Sequence, residues 1–532
     1  MTESNTSAEN GAPEYRKRDR SKKPLIIVIA VIAIAAIVTA VVLWLNRDQG
    51  AGGADGDGGA NGGGAGTSEP REITVGLQLE PGNLDIRTTG GVALDQILID
   101  NVYQGLIGLK PGTVDEFVPV LAEDLPEVAD DALSYTFTLR EGVTFASGNA
   151  LTAQDVVDSL SVAEGAASLS TALGGPVAVA SPDDRTVVIE LETPNSQLLW
   201  HLANRPGLVF ETAYTEDLAN TANGTGPYLL EQWKQGDSIT FTANPDYWGE
   251  APGLDRVVWR YIPDSNAAVN AALEGDLDVL APVRSNMVSQ FDGTGFGIDR
   301  AASTDVFTLG FNTAKAPLDD VRVRSALSKA IDGESIVAAF YGDGKVLGGP
   351  ITDLEPAYED LTDINAYDPD GAKALLAEAG VSDLRLTVTI PSFYDSDAIN
   401  QVVTQFAEIG VTLDVNAVEF GTWLNDVYTT HDFDLSYVNH AEANDFANYT
   451  NPGYYFGYDN AEVQALYAQS IAATDADEAT DLVKQAARLV AEDAPAKWLI
   501  NYTPANAIAD HVQGFPSSNT NSRINLETVS LG

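Results

Sequence analysis

The side chains that most often carry chemistry are scarce in this chain and poorly spaced for it. There is no cysteine. That excludes disulfides, thiolate nucleophiles, cysteine-based zinc sites, iron–sulfur clusters and a lipid-modified N-terminal cysteine. The four histidines are His201, His431, His440 and His511, and no two have metal-ligand spacing, so no metal site is expected. With only these and two methionines, direct nickel ligation is unattractive. The chain has no Gly-x-Ser-x-Gly elbow, no phosphate loop and no local His–carboxylate cluster suited to acid–base work. Gly342-x-Gly344-x-x-x-Gly348 has the wrong spacing for a dinucleotide loop and reads as a flexible turn. Asp276/Asp278 and Asp432/Asp434 pair at i,i+2, but in so acidic a chain they read as solvated faces or turns. The expectation is a binder with no catalytic residue and no cofactor. A hydrolase whose site assembles only in space, or a structural envelope protein, stays open as an alternative.

Those residues must be positioned by a sizeable body. At 532 residues the chain is too long for one core and suggests two or three subdomains, and 44% hydrophobic content is enough to build them. The formal charge of −48 makes nucleic acid and anionic lipid poor partners. It keeps an exposed protein soluble; a preference for cationic ligands is the sharper alternative.

The N-terminus predicts a membrane tether. Arg16, Lys17, Arg18, Arg20, Lys22 and Lys23 form a basic cluster closing a polar tail over 1–23. Residues 24–45 then carry no charge, and about 22 such residues suffice to cross a bilayer as one transmembrane helix. The positive cluster would stay in the cytoplasm, leaving the bulk of the chain outside. A cleaved signal peptide is the rival, although its apolar region is usually shorter. Residues 46–71 are rich in Gly, Ala, Asp and Asn and read as a flexible linker with a reach of about 25 Å.

From Glu72 onward strands and helices alternate in an α/β pattern. Ile73–Leu77, Tyr135–Arg140 and Thr186–Leu191 read as strands. Thr152-x-x-Asp155 before Val156, Val157 and Leu160 is a capping-box start. Helices are expected over Val321–Ile331, Pro369–Ala379 with Gly380 as stop, and Ala479–Glu492. Strands are expected within Gly380–Ile390 and Val411–Val418.

Several segments, in order, resemble the family-five extracellular solute-binding proteins, the substrate-binding subunits of peptide- and nickel-type ABC importers. They include Asn101–Ile107, Pro119–Glu123, YTFTLREGV at Tyr135–Val143, LTAQDVVDSL at Leu151–Leu160, GTGPY at Gly224–Tyr228 and NPDYWG at Asn244–Gly249. Leu273–Asp278, Phe311–Ile331 and Glu492–Pro495 complete the series. Most of these motifs read as structural: Gly224, Gly226 and Pro227 as a tight turn, Tyr247 and Trp248 as packing.

The resemblance implies a two-lobe periplasmic-binding-protein-like fold with a hinge. Lobe one would hold 72–302 plus 497–532, with an inserted subdomain at about 92–193, and lobe two 303–496. The chain would cross near Ser303–Phe307 and return near Ala496–Leu499. It also implies a monomer that closes around a small solute and delivers it to a membrane permease, without covalent chemistry.

The implied pocket departs from the peptide-binding pattern. Where peptide binders usually read Gly-Trp-x-x-Asp, this chain has Ser436-Tyr437-Val438-Asn439-His440. Tyr437 takes the ring position, and His440 stands where an aspartate would receive a peptide's α-amino group. Glu442 could substitute for that carboxylate. Phe420, beside Glu419, matches a segment that often supplies a pocket ring. Val427 sits where oligopeptide binders can carry an arginine, and Thr88 and Thr89 fall in a loop that approaches ligand. The expected ligand set is therefore Tyr437, Asn439, His440, Glu442, Phe420, Thr88 and Thr89. For His440, a loop histidine bonded to backbone is the alternative. The solute is read as peptide-like, with a metal chelate, haem, sugar or opine as the alternative.

Overall fold

The computed structural model describes residues 70–163, 165–520 and 523–532. The basic tail, the apolar span and the linker up to residue 69 lie outside the described residues. Among the described residues, no helix is long and apolar enough to cross a membrane. Arg71, at the end of the expected linker, is already tied to the fold by an ion pair of 2.7 Å with Asp255.

Ile73 and Val75 are buried between half-buried Glu72 and Thr74, a period of two that makes Glu72–Leu77 a strand. It forms the middle of a seven-stranded sheet. The order is Phe296–Arg300, Ala505–Ala509, Val279–Val283, Glu72–Leu77, Arg256–Tyr261, Ser238–Ala243, Tyr228–Lys234. Trp259 and Phe241 fill the core beneath it.

A second sheet of six strands organises the other lobe. Its order is Gly344–Lys345, Ala496–Tyr502, Val306–Phe311, Leu435–His440, Arg385–Pro391, Thr412–Val418. Arg385–Pro391 runs parallel to both neighbours, and helix Asp397–Glu408 makes the crossover to Thr412–Val418. The expected helices form here at Val321–Lys329, Pro369–Glu378 and Ala476–Asp493. Gly380 takes φ +71°, the left-handed stop that its position after the helix requires.

A four-stranded antiparallel sheet (Glu127–Val128, Ser134–Thr138, Thr186–Leu191, Val177–Ala180) carries its own core around Phe137, Val187 and Ile189. The Thr152–Asp155 capping box opens helix Ala153–Leu160 on it: Thr152 N–H donates to Asp155 at 2.9 Å.

Two boundaries differ from expectation. Helix Val92–Leu98 turns Leu94, Ile97 and Leu98 into the main core of lobe one, while the subdomain core runs from Leu106 to Val209. Apolar spacing marks a buried face but not which core receives it. The return crossing also comes later than residue 497. Ala496–Tyr502 stays in the second sheet, paired with Val306–Phe311, and only Ala505–Ala509 rejoins the first.

The two crossings run side by side. Ala301 N–H donates to Pro504 O at 3.0 Å, and Tyr502 N–H to Asp305 O at 2.8 Å. Asn501 Nδ2 donates to the carbonyls of both Ser303 and Asp305 at 3.0 Å. These two adjacent segments are where the chain passes between the lobes, the place a hinge would occupy.

Candidate functional site

Between the two large sheets lies a cavity of about 810 Å³, within the range of small-molecule sites. Both lobes and the hinge line it. Its lobe-two wall grows from strand Leu435–His440. Tyr437 is fully buried, stacked on Phe307 at 5.4 Å and edge-on to Tyr394 at 5.8 Å. Burial pushes the hydroxyls of Tyr437 and Tyr394 up from their ordinary value. The Tyr394 hydroxyl accepts from Asn439 N–H at 3.2 Å, and Asn439 Nδ2 donates to Asp305 Oδ1 at 2.8 Å. Strand and hinge are thereby joined at the cavity floor.

His440 ends the strand and is bonded through side chains, not backbone. Its Nδ1 stands 2.7 Å from Asp445 Oδ2, and its Nε2 2.9 Å from the Tyr455 hydroxyl. A carboxylate only accepts, so Nδ1 carries the hydrogen shared with Asp445, and Nε2 meets the Tyr455 hydroxyl. Asp445 Oδ1 accepts from Asn448 Nδ2 at 2.6 Å. Phe456 stacks on the imidazole at 5.8 Å. A carboxylate is thus present near this position, supplied by Asp445 five residues on.

Glu442 faces the cavity and keeps access to water through it. Its carboxylate has no hydrogen-bond partner among the described residues. Burial first, then Asp445 and Asp95, push its carboxyl up, while Arg205 and His440 act the other way. Phe420 is 44% exposed, stacked on Trp423 at 5.7 Å, whose Nε1 is held by Ser436 Oγ at 3.1 Å.

The expected set is therefore partly brought together. Tyr437, Asn439, His440, Glu442 and Phe420 line the cavity, whereas Thr88 and Thr89 do not. Thr89 accepts from Asn83 Nδ2 at 2.9 Å, and exposed Thr88 caps back to Asp85 O. Lobe one presents Gln78, Gln96, Arg284 and Asn286 instead. Val427 is fully buried in a lobe-two core and cannot meet a solute. Sequence reasoning missed Asp445, Tyr428, Tyr454 and Tyr455 of the wall; the run Tyr454-Tyr455-Phe456 was the visible signal. Among the described residues, no group of three His, Asp or Glu side chains is placed to hold a metal ion.

The lobes meet around the cavity. Arg284 Nη2 donates to Phe393 O at 2.9 Å, and Asn286 Nδ2 to Asp395 Oδ2 at 3.0 Å. The subdomain reaches across too, where Ser196 N–H donates to Ile471 O at 2.8 Å and Asn444 Nδ2 to Gln197 at 2.8 Å. The lobes thus touch across the rim of a cleft that stays partly open to solvent.

Two lobes that meet around an interlobe cavity beside two paired crossing segments define a two-lobe binding protein. The chain belongs to the bacterial extracellular solute-binding proteins, family 5: the model described as "Bacterial extracellular solute-binding proteins, family 5 Middle" matches residues 116–486. It is 27% identical to Heme-binding protein A of Haemophilus influenzae over 473 residues, 78% of this chain and 84% of that protein. It is 26% identical to the Dipeptide-binding protein of Escherichia coli over 482 residues, 80% of this chain and 88% of that one. The fold matches the dipeptide-binding protein from Pseudoalteromonas in complex with Met-Leu, with a TM-score of 0.77 and 22% identity, covering 87% of this chain and 100% of the other.

Proposed function

We propose that this protein is the extracytoplasmic solute-binding subunit of an ABC importer, closing its lobes on a peptide-like solute and delivering it to membrane permease subunits. The observation that carries this reading is the 810 Å³ interlobe cavity with rims bonded across it. A solute touching both walls stabilises the closed state by its contacts with both, and the permease can read that state. No covalent step is needed. The chain acts as a monomer, with lobe one from about Glu72 to the first crossing and again after Thr503. The N-terminal apolar run tethers it to the membrane with the binding lobes outside.

A non-peptide solute is the second reading. His440 replaces the aspartate that would receive an α-amino group, and its ring is already occupied by Asp445 and Tyr455. The similarity to Heme-binding protein A, 27% identity, is close to that to the dipeptide binder, 26%. Native mass spectrometry of the full chain purified from its own host separates the two. A ladder of peptide masses supports the first reading; a single non-peptide mass replaces it with the second.

A further inference from the structure

Among the described residues, the inserted subdomain supplies none to the cavity wall, yet it grips lobe two at three points. Ser196 N–H donates to Ile471 O at 2.8 Å, and Ser196 Oγ to Ser470 O at 3.0 Å. Gln197 Oε1 accepts from Asn444 Nδ2 at 2.8 Å. The chain enters and leaves the subdomain from lobe one. A rotation that parts the lobes must therefore break all three bonds.

On lobe two, Ser470 and Ile471 lie in the last turn of helix Ala461–Ala472. A helix leaves its last four carbonyls without an intrahelical donor, and that end carries partial negative charge. The start of this helix is capped by its own chain, where Asn460 Oδ1 accepts from Glu462 and Val463 N–H. The far end has no basic residue in its last turn, and Ala473 beyond it is extended, its N–H 3.3 Å from Ser470 O. Ser196 completes, from across the cleft, a cap that the helix's own sequence lacks. On the subdomain side, Asn195 Oδ1 accepts from Gln197 N–H at 2.9 Å. Helix Leu198–Leu202 follows at once and buries Leu198 and Leu202 in the subdomain core. The donors are thus fixed in place by their own domain.

The third bond ties the contact to the cavity. Asn444, in the left-handed region at φ +62°, belongs to the loop whose Ala441, Glu442 and Asp445 line the cavity. The same loop is fastened to the first crossing, where Thr304 Oγ1 donates to Ala441 O at 2.6 Å.

We infer that the inserted subdomain is a latch: its turn Asn195–Gln197 docks on the end of helix Ala461–Ala472 when the lobes come together, and Ser196 and Gln197 set how long they stay together. This rests on the two-lobe binding reading. Neither residue lines the cavity; both are positioning residues, and they prolong the closed state whichever solute fills it.

The test is pulsed electron resonance on the full chain, purified from its own host, with two pairs of spin labels at exposed sites. Asp184→Cys with Gln485→Cys reports subdomain against lobe two, and Gln290→Cys with Asn400→Cys reports lobe one against lobe two. Each is measured with Ser196 intact and as Ser196→Thr, Ser196→Ala and Ser196→Asp. Intact protein should give short, narrow distances for both pairs, and Ser196→Thr, which keeps both donors, should match it. Ser196→Ala should lower the ratio of short to long distances about 2- to 10-fold. Ser196→Asp sets a carboxylate against two carbonyls and the negative helix end, and should lower it by about tenfold or more in both pairs. An unchanged melting curve is the folding control; should Ser196→Asp fail it, Gln197→Ala is read instead, with the expectation given for Ser196→Ala. Unchanged distances in both pairs overturn the latch, as does a long subdomain distance in the intact protein. Lengthening of the subdomain pair alone also overturns it, and leaves the two-lobe reading standing. A lobe pair that lengthens in Ser196→Asp but does not respond to stripping the protein of small molecules supports the latch and sinks the solute-binding reading.

Discussion

The two walls of the cavity are built differently. The lobe-two wall is a strand end backed by rings: Tyr437 lies against Phe307 and Tyr394, and His440 is held at both nitrogens by Asp445 and Tyr455. Each side chain there is fixed by partners that are buried or half-buried. The lobe-one wall comes from strand ends and loops around Gln78, Gln96, Arg284 and Asn286, of which Arg284 and Asn286 reach across the rim. Lobe two thus works as a preformed template and lobe one as the closing surface. Mutations in the first should cost stability, and mutations in the second should cost affinity.

The largest effect that would sharpen this contrast is at Tyr437. Tyr437→Ala removes a fully buried ring and should lower unfolding free energy by about 3–5 kcal/mol in a urea titration. A loss below about 1 kcal/mol would mean that the ring is not part of the template. Next comes Asp445→Ala, which leaves the buried His440 Nδ1–H and Asn448 amide without their acceptor. About 1–3 kcal/mol of stability should be lost by the same titration.

At the rim the signature should invert. Asn286→Ala deletes one exposed cross-lobe hydrogen bond. It should weaken solute binding by about 2- to 10-fold, while the melting temperature of the solute-free protein stays unchanged. A drop in that melting temperature would break the division of labour. The smallest effect is expected at Thr88→Ala, outside the cavity and exposed. Stability should stay within about 0.5 kcal/mol, and calorimetric affinity should not move.

Local signals were the legible ones. The Thr152–Asp155 box and the Pro369 to Gly380 start and stop pair each specify their own element, and the structure has both. The motif residues read as structural are placed so. An added Cβ at Gly224 would come 1.8 Å from Val102 O, and at Gly226 2.5 Å from Asn101 O. Trp248 Nε1 and the Tyr247 hydroxyl both meet Gln104. The site was legible along its strand, Tyr437 to Glu442, because one segment carries those residues into the cavity. Asp445 and Tyr455 were missed because their role is set by where they meet His440, which spacing does not encode. Thr88 and Thr89 were expected in the wall by resemblance alone; here their loop bonds within itself, to Asn83 and Asp85. The return crossing slipped because Ala496–Tyr502 has the strand pattern of either sheet, and only pairing with Val306–Phe311 assigns it.

Closure on a solute is the central claim, and the absence of native cysteines makes it directly measurable. Spin labels at Gln290→Cys in lobe one and Asn400→Cys in lobe two, both exposed, report the lobe separation by pulsed electron resonance on the full chain. The host-purified protein is first stripped of small molecules, then given back the fraction it released. The account predicts a longer distance in the stripped protein and a shorter, narrower one after the fraction returns. One distance distribution, unchanged by stripping and return, would contradict it.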